Sequence, residues 1–95
     1  MGLVASQARL LMLTAYKSDL EFKMEQISQK RLLLAATAIN VMYNQDAQAV
    51  LQNLDKQLEL QMKIYETQHK AVSTEFDSVS KIIDKNIEKS FKYVA

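Results

Sequence analysis

From Leu51 to Val94 the chain sets a side chain suited to a buried seam at every third or fourth position: Leu51, Leu54, Leu58, Met62, Tyr65, His69, Val72, Phe76, Val79, Ile83, Ile87, Phe91 and Val94. An α-helix turns once in about 3.6 residues, so steps of three and four keep those side chains on one face. A strand has a period of two and would scatter them over both faces. A stripe running over more than forty positions needs a helix of that length and an equally long apolar partner.

The partner stands upstream. Leu13, Leu20, Ile27, Leu34 and Val41 recur every seven residues, with Leu10, Met24 and Ala38 at the companion heptad positions. Between the two patterns lies Tyr43-Asn44-Gln45-Asp46. Asn tolerates the left-handed conformation that closes many helices, and Asp46 is placed to cap the next one. The pattern predicts an all-α, single-domain helical hairpin with helix one over 3–43, a turn over 43–46 and helix two over 46–94. At 1.5 Å per residue each arm is about 60–70 Å long. Its intramolecular seam is Leu13, Leu20, Ile27, Leu34 and Val41 against Leu51, Leu58, Tyr65, Val72 and Val79. Ser18-x-x-Glu21 and Thr74-x-x-Asp77 each fit a capping box, so an extra break near residues 72–75, and a three- or four-helix fold, stay open.

Composition points the same way. The chain has one glycine, Gly2, and no proline, whereas β-hairpins and phosphate-cradling loops depend on such residues. Lys plus Arg is 12 against Asp plus Glu 11, which gives no electrostatic reason to seek nucleic acid. Four lysines near the C-terminus, Lys81, Lys85, Lys89 and Lys92, are diluted by Asp84 and Glu88 and also complement the helix dipole. With no cysteine, neither disulfides nor thiolate metal sites are available. His69 is the only histidine and falls on the helical stripe, so it reads as a seam residue rather than as a metal ligand or catalytic base. Asp19 with Lys23, Asp77 with Lys81 and Glu88 with Lys92 sit four apart, the spacing of ordinary helix-surface ion pairs. No catalytic, cofactor-binding or metal-binding residue is expected, and the chain reads as a protein other than an enzyme.

Arg9 interrupts the opening apolar stretch and no basic segment precedes it, so a cleaved signal peptide is not expected. The run from Leu32 to Tyr43 is too short to span a bilayer. These features predict a cytoplasmic protein, or one exported without a cleaved leader, with little affinity for membranes. Met1-Gly2-Leu3-Val4-Ala5-Ser6 matches the N-myristoylation pattern, which has meaning only where a eukaryotic transferase meets the chain.

Helix one has a second apolar face. Projected at about 100° per residue, Val4, Leu11, Ala15, Phe22, Leu33 and Ala36 cluster nearly opposite the heptad seam. In helix two the apolar residues share one arc, Leu60 excepted, and the other side is Lys, Glu, Asp, Gln and Ser. A lone hairpin buries one seam per arm and leaves the second face of helix one in water. Burying a Leu or Phe side chain is worth roughly 1.5–3 kcal/mol, so several left exposed favour association. The expectation is self-assembly through those six residues, with helix one inside and helix two outside, as a closed bundle or a filament. Two alternatives remain: a segment after Val72 folding back over that face, or a coiled-coil adaptor or export chaperone offering the face to a different protein.

The opening Gly2-Leu3-Val4-Ala5-Ser6-Gln7-Ala8-Arg9-Leu10-Leu11-Met12-Leu13-Thr14, followed by Lys17-Ser18-Asp19-Leu20-Glu21, resembles the start of small uncharacterised bacterial helical proteins that share an A-S-Q-A-R-L-L-x-L-T segment. The resemblance covers about a fifth of the chain and implies a bacterial source but no particular activity. In architecture alone the chain is similar to type III secretion needle and inner-rod subunits, leaderless helical hairpins that polymerise into hollow filaments. That similarity implies a homo-oligomer and a secretion apparatus as a partner.

Overall fold

A computed structural model describes the backbone of residues 2–94 and the side chains of residues 2–92. Met1 of the acylation pattern and the side chains of Tyr93 and Val94, the last position of the stripe, lie outside the described residues. Two helices run antiparallel: α1 is Leu3–Asn40 (38 residues) and α2 is Gln45–Val94 (50 residues). The molecule measures 75 × 16 × 14 Å. It is a rod two helices thick, the all-α hairpin that the paired apolar patterns require.

The turn departs from expectation in three ways. α1 ends at Asn40, three residues early, because Val41 leaves the helical region (φ −117°, ψ 31°) while its N–H still donates to the Thr37 carbonyl at 3.2 Å. The Asn44 N–H then donates to the Val41 carbonyl at 3.0 Å, closing the turn. No described residue has a positive φ, so the left-handed Asn expected from the sequence is not used. The cap of α2 is Asn44 rather than Asp46: Asn44 Oδ1 accepts from the Ala47 N–H at 3.1 Å. Asp46 sits in the first turn of α2, where a negative charge favours the helix dipole. A residue not anticipated, Gln48, reaches back from α2 and donates Nε2 to the carbonyls of Ala38 (2.8 Å) and Val41 (3.1 Å). A helix end leaves its last carbonyls unpaired, and here a side chain of the opposite arm donates to one of them, that of Ala38.

Neither capping-box match breaks a helix. α1 runs through Ser18 and α2 runs through residues 72–75. Thr74 Oγ1 donates to the Lys70 carbonyl one turn back at 2.9 Å, so it bonds within its own helix instead of capping a new one. With α2 unbroken, no described segment after Val72 covers the second face of α1.

The core is the heptad seam, but only over part of its length. Leu13, Leu20 and Ile27 are buried on α1, and Val72, Val79 and Ile83 on α2; Leu20 is only 1% exposed. Leu13, Leu20, Val72, Val79 and Ile83 form one cluster, with Leu3, Leu10, Tyr65 and Phe76 packed against it. Leu34, Val41, Leu51, Leu58 and Tyr65 are half-buried. Toward the turn the seam thins, since Ala38 and Gln48 take the places that larger apolar residues fill elsewhere. α2 is the longer arm, and past Ile83 its stripe loses its partner: Ile87 and Phe91 are exposed, Phe91 at 76%.

The heptad extends one step further back than its leucines suggested. Ser6 lies seven residues before Leu13 and is completely buried, and its Oγ has no hydrogen-bond partner among the described residues. A buried hydroxyl without a partner costs about 1–3 kcal/mol, and Ala is also the better helix former. Ser6→Ala should therefore raise the thermal midpoint, by on the order of 1 kcal/mol of added stability. Leu20→Ala should cost about 2–5 kcal/mol. Circular-dichroism melts of the two variants against the parent chain read both effects, and a Ser6→Ala loss would show that the hydroxyl has a partner in solution.

Candidate functional site: the solvent face of α1

The face of α1 that points away from α2 is where an isolated hairpin should be most polar. Following it from end to end gives Val4, Ala8, Leu11, Ala15, Ser18, Phe22, Gln26, Gln29, Leu33, Ala36 and Asn40. All are exposed, and none carries a charge. The six residues singled out by periodicity, Val4, Leu11, Ala15, Phe22, Leu33 and Ala36, all belong to this strip; Leu11 is 73% exposed, Phe22 60% and Leu33 68%. The charged residues of α1 lie elsewhere on its circumference: Arg9, Lys17, Asp19, Glu21, Lys23, Glu25, Lys30 and Arg31.

The outer face of α2 is the reverse. Lys56, Glu59, Lys63, Glu66, Lys70, Asp77, Lys81, Asp84 and Glu88 follow one another along it. Lys63 pairs with Glu59 at 3.5 Å on that surface. The two backs of one hairpin thus differ, one uncharged with its apolar residues interrupted by Ser18, Gln26 and Gln29, and the other mostly charged. The arc is less pure than sequence projection implied, because Leu60 has company: Val50 and Ile64 are also exposed off the seam.

Charged side chains at the edges of the seam hold the arms in register. Arg31 grips Asp55 with two bonds, Nε to Oδ1 at 2.8 Å and Nη2 to Oδ2 at 3.1 Å, the fork-to-fork geometry that adds specificity as well as energy. Arg9 binds Glu75 Oε1 through Nε at 2.8 Å and also through Nη2. His69 Nε2 lies 2.9 Å from Glu21 Oε1, so the stripe histidine sits at the edge of the seam against a carboxylate of the other arm. The Lys17 ammonium stands over the Phe76 ring at 5.4 Å and that of Lys23 over Tyr65 at 5.8 Å, within cation–π reach. The Arg31 bond holds the Asp55 carboxyl below its ordinary 3.8, and the same pairing raises Arg31. Hydrogen bonding to neighbouring Asp19, ahead of its charge, raises Lys23.

A second apolar surface lies at the closed end. From Leu32 to Gln45 no residue is charged, and Leu32, Ile39, Met42 and Tyr43 are exposed, Tyr43 at 95%. One shallow groove beside it is lined by Leu33, Leu34, Leu54, Leu58 and Lys30, so at Leu33 the strip has turned from the back of α1 toward the flank it shares with α2. A groove on the other flank holds Arg31, Asp55 and Gln48, whose polar groups already serve the register and the turn. Among the described residues no three His, Cys, Asp or Glu side chains converge as a metal site would require. None of the described helices is long and apolar enough to cross a membrane. Comparison with protein families, curated proteins and solved structures finds no match for this chain.

A carboxyl whose folded value is depressed adds stability that is present above its unfolded value and lost as pH falls through the folded one. Asp55 should accordingly titrate below 3.8 in the folded hairpin, and its contribution should vanish only in acid below that value. Carboxyl-carbon NMR titration of the parent chain and of Arg31→Gln checks this: the Asp55 midpoint should return toward 3.8 in the variant.

Proposed function

We propose that this chain is a non-enzymatic structural subunit that assembles with copies of itself by helix–helix packing, α1 turned inward and α2 outward, into a helical bundle or filament. The observation that carries the reading is the contrast between the two backs of the hairpin: a full-length uncharged strip on α1 and a charged face on α2. Exposed apolar residues scattered singly need no explanation, but Val4, Leu11, Phe22 and Leu33 recurring on one uncharged strip support an interaction surface. Small residues in it, Ala8, Ala15, Ser18 and Ala36, let another helix approach closely between the larger Leu11, Phe22 and Leu33.

Surface area supports the same reading. The chain exposes 7371 Å² at 10.9 kDa. A compact monomer of that mass exposes about 5,600 Å², so the rod carries an excess of about 1,800 Å². A standard protein–protein interface takes about 800 Å² from each partner, well within that excess. The resemblance of its opening to bacterial proteins, and of its hairpin to needle and rod subunits, supports a place in a bacterial assembly with a secretion apparatus as partner. The runner-up, an adaptor or chaperone for a different protein, draws on the uncharged tip with Ile39, Met42 and Tyr43 exposed.

Analytical ultracentrifugation of the purified chain at micromolar concentration should show oligomers. Leu11→Glu, Phe22→Glu or Leu33→Glu should each shift the distribution to monomer while far-UV circular dichroism keeps its helical signal. Tyr43→Glu should leave assembly intact. A parent chain that stays monomeric at high concentration and orders only with a foreign partner would hand the case to the adaptor.

A further inference from the structure

The strip on α1 has an internal symmetry that bears on how two copies would meet. Leu11 and Leu33 stand eleven residues on either side of Phe22. Fourteen residues out, the same centre is flanked by Ala8 and Ala36. Ser18 faces Gln26 at four residues, Ala15 faces Gln29 at seven and Val4 faces Asn40 at eighteen, so the likeness lies in the two leucines and the two outer alanines. All are exposed on a helix that runs uninterrupted from Leu3 to Asn40. Those two pairs and the central Phe22 meet their own kind under a two-fold axis, the operator of an isologous dimer.

We infer that the occupant of the α1 strip is a second copy of this chain, bound antiparallel about a two-fold axis at Phe22. The inference rests on the self-assembly reading above and adds the partner's direction and register to it. Phe22 then meets its counterpart at the centre, Leu11 of each copy packs beside Leu33 of the other, and Ala8 lies beside Ala36. The contact from Leu11 to Leu33 spans about 33 Å at 1.5 Å per residue. A parallel pair would put Leu11 on Leu11 and Leu33 on Leu33, and would align both helix dipoles head to head, which is unfavourable. Charge at the edges is balanced between attraction and repulsion: Asp19 of one copy falls beside Lys23 of the other on one flank, while Glu21 and Glu25 of both copies share the opposite flank. The uncharged strip therefore sets the register. The result is a closed four-helix layer, α2–α1–α1–α2, with both charged faces outermost, and it selects the bundle over the filament.

The chain contains no cysteine, so single cysteines report proximity cleanly. Ser18→Cys, Gln26→Cys, Leu11→Cys, Leu33→Cys and Phe22→Cys chains are made singly, mixed in pairs and exposed to a mild oxidant. The antiparallel register predicts covalent dimers from Phe22→Cys alone, from the mixture of Ser18→Cys with Gln26→Cys, and from the mixture of Leu11→Cys with Leu33→Cys. Leu11→Cys alone and Leu33→Cys alone should cross-link at least tenfold less than their mixture. Ser18 and Gln26 are exposed polar positions, so their pair keeps the test valid if Phe22→Cys weakens the contact. Oligomers in ultracentrifugation with self-linking at Leu11→Cys and none in the mixtures would overturn the register but leave self-assembly standing. A parent chain without oligomers would overturn both.

Discussion

The fold depends on one contact: the heptad face of α1 laid antiparallel on the stripe of α2. Leu13, Leu20, Val72, Val79 and Ile83 form its dense part. A single helix of this length in water has little to hold it but propensity, and α1 lacks even a side-chain cap at its N-terminus or an acidic residue in its first turn. Its stability is borrowed from the seam. The ion pairs Arg9–Glu75 and Arg31–Asp55 and the His69–Glu21 contact join opposite arms at the seam's edges, and their worth lies chiefly in excluding a slipped register.

A two-helix rod cannot close a core around itself. Each helix has a circumference, and one partner covers only a fraction of it. α2 meets this limit by clothing its outer face in charge; α1 does not. This asymmetry, rather than any pocket, is what gives the molecule a front and a back, and the proposed function follows from asking what would cover the bare side.

Much of the fold was legible because periodicity and burial are the same physics seen twice. Leu13, Leu20, Ile27, Val72 and Val79 fell where spacing placed them, and the six outer residues of α1 lie together on its exposed face. The turn was less legible. Capping by Asn44, the early stop at Asn40 and the return of Gln48 to two carbonyls depend on where the arms come together, which no local pattern encodes. Ser6 escaped notice because a hydroxyl does not register as apolar, although it keeps the seven-residue beat. The capping-box motifs at Ser18 and Thr74 mark no break, since their residue types also occur inside helices where a long apolar stripe overrides them.

The two faces of α1 keep different time. The inner one repeats every seven residues, 3.5 per turn, and a helix bound by such a repeat coils left-handed around its partner. The outer one places Leu11, Phe22 and Leu33 every eleven, about 3.67 per turn, which favours the opposite hand. Torsion imposed by the hairpin therefore carries the outer strip away from any straight neighbour as distance from Phe22 grows. A contact of the proposed sort would have a built-in finite reach: its extent would be metered by mismatched winding, and lengthening the arms would not lengthen it.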